Sequence, residues 1–597
     1  MSIDAIISQI VTWLPYVAAA WAVLVTMILV RFYRAVPATK KVPPVEVHPL
    51  LMLSATAIGA KLRAGEVTST QLVELSIKQI EAVNPYVNAM VFTRFEEARK
   101  EAQAADALLE AYRRRANPHP NDIGWLVGIP GTIKECIAVE GCPQTAGLPS
   151  RKDYRCPQDA PQVQRLKAAG AIVLGVTNTS ELCMWMESSN YVYGVTNNAY
   201  DTRRIVGGSS GGEGCAQCAY FGYFGLGSDI GGSIRMPAYF NGVFGHKPST
   251  RLVPNLGQHP GAKDKAHFLL CTGPITRFAE DLYPLLRTLS DEGFDEELPR
   301  KHYPRCLTFG DRPPSKVNLK RVKVYCLPDL NLRAVKASSS QRKATMKACE
   351  VLEKEFGCTV IRVDWRRKET VPKGWEMIRY AFDIWSALAS EDSNSFQEMM
   401  SEGYDIQGKP FAAGKELLKT IVGWNPQHTI PASALCLIEH IQKKFVPAAR
   451  SEAWIAKGRQ LQKDIEQELG SNGVIITPTY PATVPKHHRP LMFPFQWVYT
   501  ALFNAMQTPT TAVPIWLDEH QRLPLGVQCV ASWGHDDVSL AIAEALSKTS
   551  IAGHRPPKWV RIGTWDQSQG GVLKATPSKS ASQKRTPSRT PRAKSAR

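Results

Sequence analysis

No basic residue precedes Arg31, no acidic residue follows Asp566, and no second Cys-x-x-Cys accompanies Cys215-Ala-Gln-Cys218. Each absence closes off a reading. A cleaved secretory leader starts basic and has a shorter apolar core, so the uncharged run between Asp4 and Arg31 does not fit one. A structural zinc site needs a second ligand pair, so the lone Cys-x-x-Cys reads as two small residues on one buried helical face. The 13 cysteines are odd in number and scattered over 597 residues, which argues against a disulfide framework and for a reducing compartment. Charged residues make up only 21% against 44% hydrophobic, the balance of a folded protein with disorder confined to its ends. The net charge of +18 is partly a property of the tail, where Lys574, Lys579, Lys584, Arg585, Arg589, Arg592, Lys594 and Arg597 lie among Ser, Thr and Pro. Residues 566–597 are therefore expected to form a disordered basic tail, and no nucleic-acid partner is expected for the body.

What is present at the start is a run of 26 uncharged residues, 5–30, containing Trp13, Leu14, Val17, Trp21, Leu24, Val25, Ile28, Leu29 and Val30. That length spans a bilayer, with Trp13 and Tyr16 as interfacial anchors near Pro15. Arg31, Arg34, Lys40 and Lys41 follow it, so the positive-inside rule places the body on the cytoplasmic side of a single-pass, endomembrane protein. The expected organisation is an anchor over 1–41, a Pro-stiffened linker over 42–49, one catalytic domain over 50–565 and the tail.

Within the body, Thr68 and Gln71 form a helix-start pattern ahead of Leu72, Val73, Leu75, Ile77 and Ile80, and Asn84-Pro85 is expected to end that helix. A second helix is expected over 94–110. Short apolar runs at 171–174, 322–326, 474–476 and 526–531 read as strands. Strands alternating with helices predict an α/β fold: a mixed twisted central sheet flanked by helices on both faces.

Twelve glycines fall between residues 207 and 245, where average usage of about 7% gives roughly three. Glycine permits positive φ and close approach of main chain to a ligand, so a dense cluster suggests converging N–H groups around an anion or oxyanion. A phosphate loop is excluded because no lysine follows the glycines until Lys247, and Gly225-x-Gly227 is a poor dinucleotide fingerprint. Two readings stay open. Gly208-Ser209-Ser210-Gly211-Gly212 contains Gly-x-Ser-x-Gly, which would make Ser210 the nucleophile of an α/β-hydrolase esterase served by His535 and its acidic neighbours, although 200–204 is a poor strand to precede an elbow. The other places the nucleophile at Ser233, with the N–H groups of Ile230, Gly231, Gly232 and Ser233 as an oxyanion hole.

Three separated segments decide between them by resemblance. Gly207-Gly208-Ser209-Ser210-Gly211-Gly212, then Gly227-Ser-Asp229-Ile-Gly-Gly-Ser233-Ile-Arg235-Met-Pro237, then Gly245-His-Lys-Pro248 resemble the amidase signature family, whose upstream lysine segment is matched by Gly128-Ile-Pro130-Gly-Thr-Ile-Lys134. The resemblance implies a triad of Lys134, Ser209 and Ser233, no metal and no cofactor. Serine needs a group to take its proton, and a lysine can serve only when neutral, which burial and a nearby cation such as Arg235 favour. The segment 180–185 and the anchor narrow the likeness to the fatty-acid amide-hydrolysing branch, at about residues 48–560. That likeness implies hydrolysis of N-acylethanolamines and primary fatty amides to fatty acid and amine. It also implies that Cys183 contacts substrate, and it allows a homodimer. The stretch 417–424 with 430–438 is expected either to touch the membrane or to form a buried helical pair. Asn178-Thr-Ser180 is a glycosylation sequon that a cytoplasmic body would never expose to glycosylation. The non-enzymatic alternative is a membrane scaffold recruiting partners through its basic tail. A third is a subunit that transfers glutaminyl amides, which the anchor disfavours.

Overall fold

The aliphatic and β-branched runs become strands, and their alternation decides which side of the sheet each side chain joins. In the computed structural model of the chain, residues 40–290, 312–391, 396–401, 412–422, 426–445, 447–516 and 523–563 are described. Among them one mixed sheet is built from β1 (Met90–Thr93), β2 (Pro130–Lys134), β3 (Ile172–Thr177), β4 (Gly225–Asp229), β5 (Phe244–Lys247), β6 (Cys271–Thr276), β7 (Lys323–Cys326), β8 (Thr359–Arg362), β9 (Gly473–Pro478), β10 (Thr510–Ile515) and β11 (Leu525–Ala531). The order across the sheet is β8-β7-β9-β11-β10-β5-β6-β4-β2-β3-β1. β2 runs parallel to both neighbours, β3 and β4, so the carboxyl ends of three adjacent strands open on the same edge, where α/β proteins place their sites.

Alternation gives the sheet two cores. Val474 and Ile476 of β9 enter one and Ile475 the other, and β7 divides Val324 from Tyr325 in the same way. The helix Ser339–Phe356 covers the first through Ala344, Ala348 and Leu352, and the helix Ala448–Leu469 covers the second through Leu461, Ile465 and Leu469. Each such aliphatic side chain contributes roughly 1.5–3 kcal/mol relative to exposure. Helices on both faces are thus a direct consequence of strands that are apolar on both faces.

Two boundaries differ from expectation. The first helix spans Ser69–Val87 and contains Pro85. Thr68 starts it as its spacing predicts, its hydroxyl accepting from the Gln71 amide at 3.1 Å. The proline does not end it, because Asn88 in the left-handed region closes the last turn with its N–H on the Asn84 carbonyl at 2.8 Å. The stretch expected as a linker carries a strand, Val45–Val47, paired in parallel with Val560–Ile562. The body therefore begins before residue 50, its two ends stitched together by β-branched residues that suit an extended pairing.

Among the described residues no helix is long and apolar enough to cross a membrane. The apolar run 5–30, Trp424 and the tail 566–597 lie outside the described residues. The helices Ala413–Val422 and Ile430–Phe445 pack on each other. They leave Leu418, Val422 and Ile438 exposed, while Thr420 and Cys436 are buried.

Candidate active site

Lys134 is the last residue of β2 and is fully buried. Its Nζ donates to the Ser209 hydroxyl at 2.6 Å and to the Ser228 hydroxyl at 3.0 Å. The two partners whose hydrogen bonds it makes are hydroxyls, not carboxylates, so nothing in direct contact fixes the amine as a cation. Ser209 follows a cis Gly208–Ser209 peptide. Its carbonyl accepts from the Thr179 and Ser188 hydroxyls at 3.0 and 3.2 Å, which holds the loop against the end of β3.

Ser233 sits in the turn between β4 and the helix Arg235–Phe240, 7% exposed. The Ser210 amide donates to the Ser233 carbonyl at 3.2 Å, bringing the two serine segments side by side. Among the described residues the Ser233 hydroxyl makes no hydrogen bond. The turn is held by Asp229, whose carboxylate accepts from the Gly232 amide at 2.7 Å and the Ile234 amide at 3.1 Å. Arg235 braces that carboxylate from below with Nε and Nη2 at 3.0 and 2.9 Å, and also binds the Thr500 carbonyl, Gln528 and Asn504. Burial works against the Asp229 carboxylate, yet the Arg235 guanidinium and Asn504 hold its carboxyl well below the usual range. Two readings are corrected here. Arg235 faces Asp229 rather than Lys134, and the Gly232 amide is already committed, so the donors left facing the site are those of Ile230, Gly231 and Ser233.

The glycine cluster has a different main cause from the one the sequence suggests. Of its members only Gly207, Gly232 and Gly242 have positive φ. Others mark places where chain segments touch: a methyl group on Gly208 would lie 2.1 Å from the Trp185 carbonyl, and one on Gly225 would lie 2.1 Å from Glu213 Oε2. Close packing of loops around the site demands glycine more often than the turns do.

Glu213 is a member of the site that sequence reasoning missed. Thr132 lies two residues before Lys134 on the same face of β2, and Thr177 is the register partner of Lys134 on β3. Both hydroxyls donate to the Glu213 carboxyl at 2.7 Å, placing it beneath the amine. Burial pushes its carboxyl up to about 8, against the stabilising effect of the two threonines and Lys134. The signal was a glutamate inside an otherwise uncharged glycine helix.

The wall beside the Ser233 turn is aromatic. Trp385 Nε1 donates to the Ile230 carbonyl at 2.9 Å, and a methyl group on Gly231 would come within 3.3 Å of the Trp497 ring. Trp385 and Trp497 meet edge to face at 4.6 Å, and Phe382 joins Trp497 to Phe495 at 6.4 and 5.1 Å. Phe382, Phe493, Phe495 and Met492 are exposed.

A lysine, two serines and a glycine turn in this arrangement are what known proteins of one family share with this chain, for the Amidase family pattern matches residues 71–540. The chain belongs to the amidase family. This amidase is 39% identical over 525 residues to fatty-acid amide hydrolase 2-A of Danio rerio, covering 87% of this chain and 92% of that one. It is 38% identical over 513 residues to human fatty-acid amide hydrolase 2, covering 85% and 91%. A solved structure of 6-aminohexanoate cyclic dimer hydrolase superposes with a TM-score of 0.67 at 23% identity, over 85% of this chain and 99% of that one. The protein is accordingly an amide hydrolase with an α/β fold.

The competing sites are not assembled in this amidase. The Ser210 hydroxyl is buried and donates to the Ser228 carbonyl at 3.2 Å. Asp536 serves His246 and Ser249 rather than His535. Cys215 and Cys218 are buried in the helix Gly211–Cys218. Asn178 is buried with its amide nitrogen on Gly194 and Thr196, so the sequon is out of reach of any glycan. Cys183 is partly exposed, its Sγ 3.3 Å from the Thr179 hydroxyl.

Proposed function

We propose that the chain is a membrane-tethered fatty-acid amide hydrolase in which Ser233 is acylated and Ser209 relays protons to and from a neutral Lys134. The observation that carries this reading is the buried Lys134 amine held at 2.6 Å from the Ser209 hydroxyl with only hydroxyl partners. The Ser233 oxygen attacks the amide carbonyl while its proton passes to Ser209 and that of Ser209 to Lys134. The developing oxyanion is met by the amides of Ile230, Gly231 and Ser233, and each such donor is commonly worth about 10²–10³ in rate. When the tetrahedral adduct collapses, the proton returns through Ser209 to the leaving nitrogen, since an amine departs only once protonated. Water then repeats the path and frees the fatty acid. General acid–base help of this kind contributes about 10²–10⁴.

Two features support a lipid amide as substrate. Trp385, Trp497, Phe382 and Phe495 form an apolar wall leading from the acylation turn toward exposed Phe493 and Met492. Relatives covering more than nine-tenths of their own length bear the name fatty-acid amide hydrolase 2. Exposed Leu418, Val422 and Ile438 would add a second membrane contact beside the anchor over 5–30. Cys183, next to Ser209, is placed to touch the substrate near the scissile bond. The test is labelling with a fluorophosphonate followed by mapping of the modified serine, with turnover of oleamide and an N-acylethanolamine compared with a short amide. Labelling at Ser233 and preference for the long chains is the expected result; labelling at Ser210, or turnover of the short amide alone, contradicts it.

A further inference from the structure

Two thiols flank the Lys134–Ser209 pair, and the reaction above uses neither. Cys136, two residues beyond Lys134, is buried with its Sγ 3.7 Å from the Ser228 hydroxyl, which is itself a partner of Lys134. Cys183 reaches the pair from the other side. Leu182 and Cys183 are both in the left-handed region, turning the chain so that Cys183 Sγ lies 3.3 Å from the Thr179 hydroxyl, which holds the Ser209 carbonyl at 3.0 Å. The segment is clamped there at both ends. Glu181 binds His428 Nδ1 at 2.6 Å and the Thr429 amide at 2.7 Å, and Glu187 binds His487 Nδ1 at 2.5 Å.

The two sulfurs meet, with Cys136 as the hydrogen-bond donor. Their chemistry differs. The hydrogen bond from Cys136, aided by Lys134, Thr179 and Ser209 against the opposing effect of burial, brings the Cys183 thiol down to about 5. Burial pushes the Cys136 thiol up. A thiolate that is partly exposed beside a protonated thiol is the arrangement of a nucleophile with its resolving partner. The other described cysteines with resolved shifts, among them Cys142, Cys156, Cys215, Cys218 and Cys529, are pushed up by burial.

We propose that Cys183 is a site of reversible oxidation, with Cys136 as the thiol that closes the disulfide, and that closing it stops amide turnover. The oxidant is a peroxide. The Cys183 thiolate attacks one peroxide oxygen, forming the sulfenic acid and releasing hydroxide or alkoxide. The Cys136 sulfur then attacks the Cys183 sulfur, the S–O bond breaks and water leaves. Two thiols and one hydrogen peroxide thus give one disulfide and two waters. Drawing the sulfurs to about 2.0 Å removes Cys136 from Ser228 and Cys183 from Thr179, the contacts that steady Lys134 and Ser209.

The full chain treated with hydrogen peroxide, alkylated with iodoacetamide and digested should yield a linked peptide joining Cys136 to Cys183. Turnover should fall at least about tenfold in step with the linkage, and dithiothreitol should restore both. In Cys136→Ala, Cys183 should pass to sulfinic acid and dithiothreitol should restore nothing. Cys183→Ser, compared with its own untreated rate, should lose its sensitivity to peroxide. The inference is overturned if Cys183 stays alkylatable once the other thiols have reacted, if turnover falls while both thiols are free, or if Cys183→Ser is as sensitive as the unaltered protein. It rests on the proposed reaction only for its rate readout. The linked peptide is read by mass, so a chain that turns over no amide sinks the reaction and leaves the thiol pair to stand or fall separately.

Discussion

Lys134 and Arg235 are both fully buried cations in sequence-adjacent parts of one site, yet their surroundings are opposite. Arg235 meets a carboxylate through two hydrogen bonds, and its remaining donors go to a carbonyl and two side-chain amides. Lys134 meets two hydroxyls. A buried charge is tolerated when paired, so Arg235 and Asp229 remain ionised and act as a rigid brace for the turn that carries Ser233. A buried amine with hydroxyl partners keeps little reason to hold its proton, and can therefore exchange it during a reaction. The contrast separates the part of the site that positions from the part that reacts.

Substitutions sharpen that contrast, beginning with the largest effect. Ser233→Ala leaves both cations in place and should lower amide turnover by about 10⁵–10⁶, with fluorophosphonate labelling lost and thermal unfolding unchanged. Asp229→Ala strips Arg235 of its partner and should cost about 3–5 kcal/mol of stability, read as a shift in the denaturant midpoint. Glu213→Gln tests the carboxyl under the amine. Its folded pKa of about 8 is raised above the ordinary 4.5 by burial, so its contribution to stability is complete below 4.5 and is lost as pH rises through about 8. Ionised Glu213 would also favour the ammonium form of Lys134. The unaltered protein should thus lose stability and turnover above pH 8, and Glu213→Gln should flatten both profiles. Ser228→Ala removes one of the two partners of Lys134 and should reduce turnover only about tenfold, because Ser209 still holds the amine.

The parts of this site that were legible in the sequence were those fixed by residue type within one segment. Lys134 after Gly-Ile-Pro, Ser209 among glycines and Ser233 before Ile-Arg-Met-Pro could be named because each segment carries its own pattern. Strands such as Gly473–Pro478 and the Thr68 helix start were legible because period and capping are local. Long-range meetings were not. That Arg235 would turn to Asp229, Thr500 and Asn504 depends on a helix some 265 residues later. The same holds for Ser228 as the second partner of Lys134 and for Glu213 between Thr132 and Thr177, both decided by strand register. Pro85 misled for a simpler reason: a single missing donor is outweighed when Asn88 closes the following turn.

The most direct measurement is amide turnover by a Lys134→Ala protein whose thermal unfolding matches that of the unaltered chain. Loss of turnover by at least about 10³, with Arg235 and Asp229 untouched, is the predicted result. Full turnover from a folded Lys134→Ala protein would contradict the claim that the buried amine is the base.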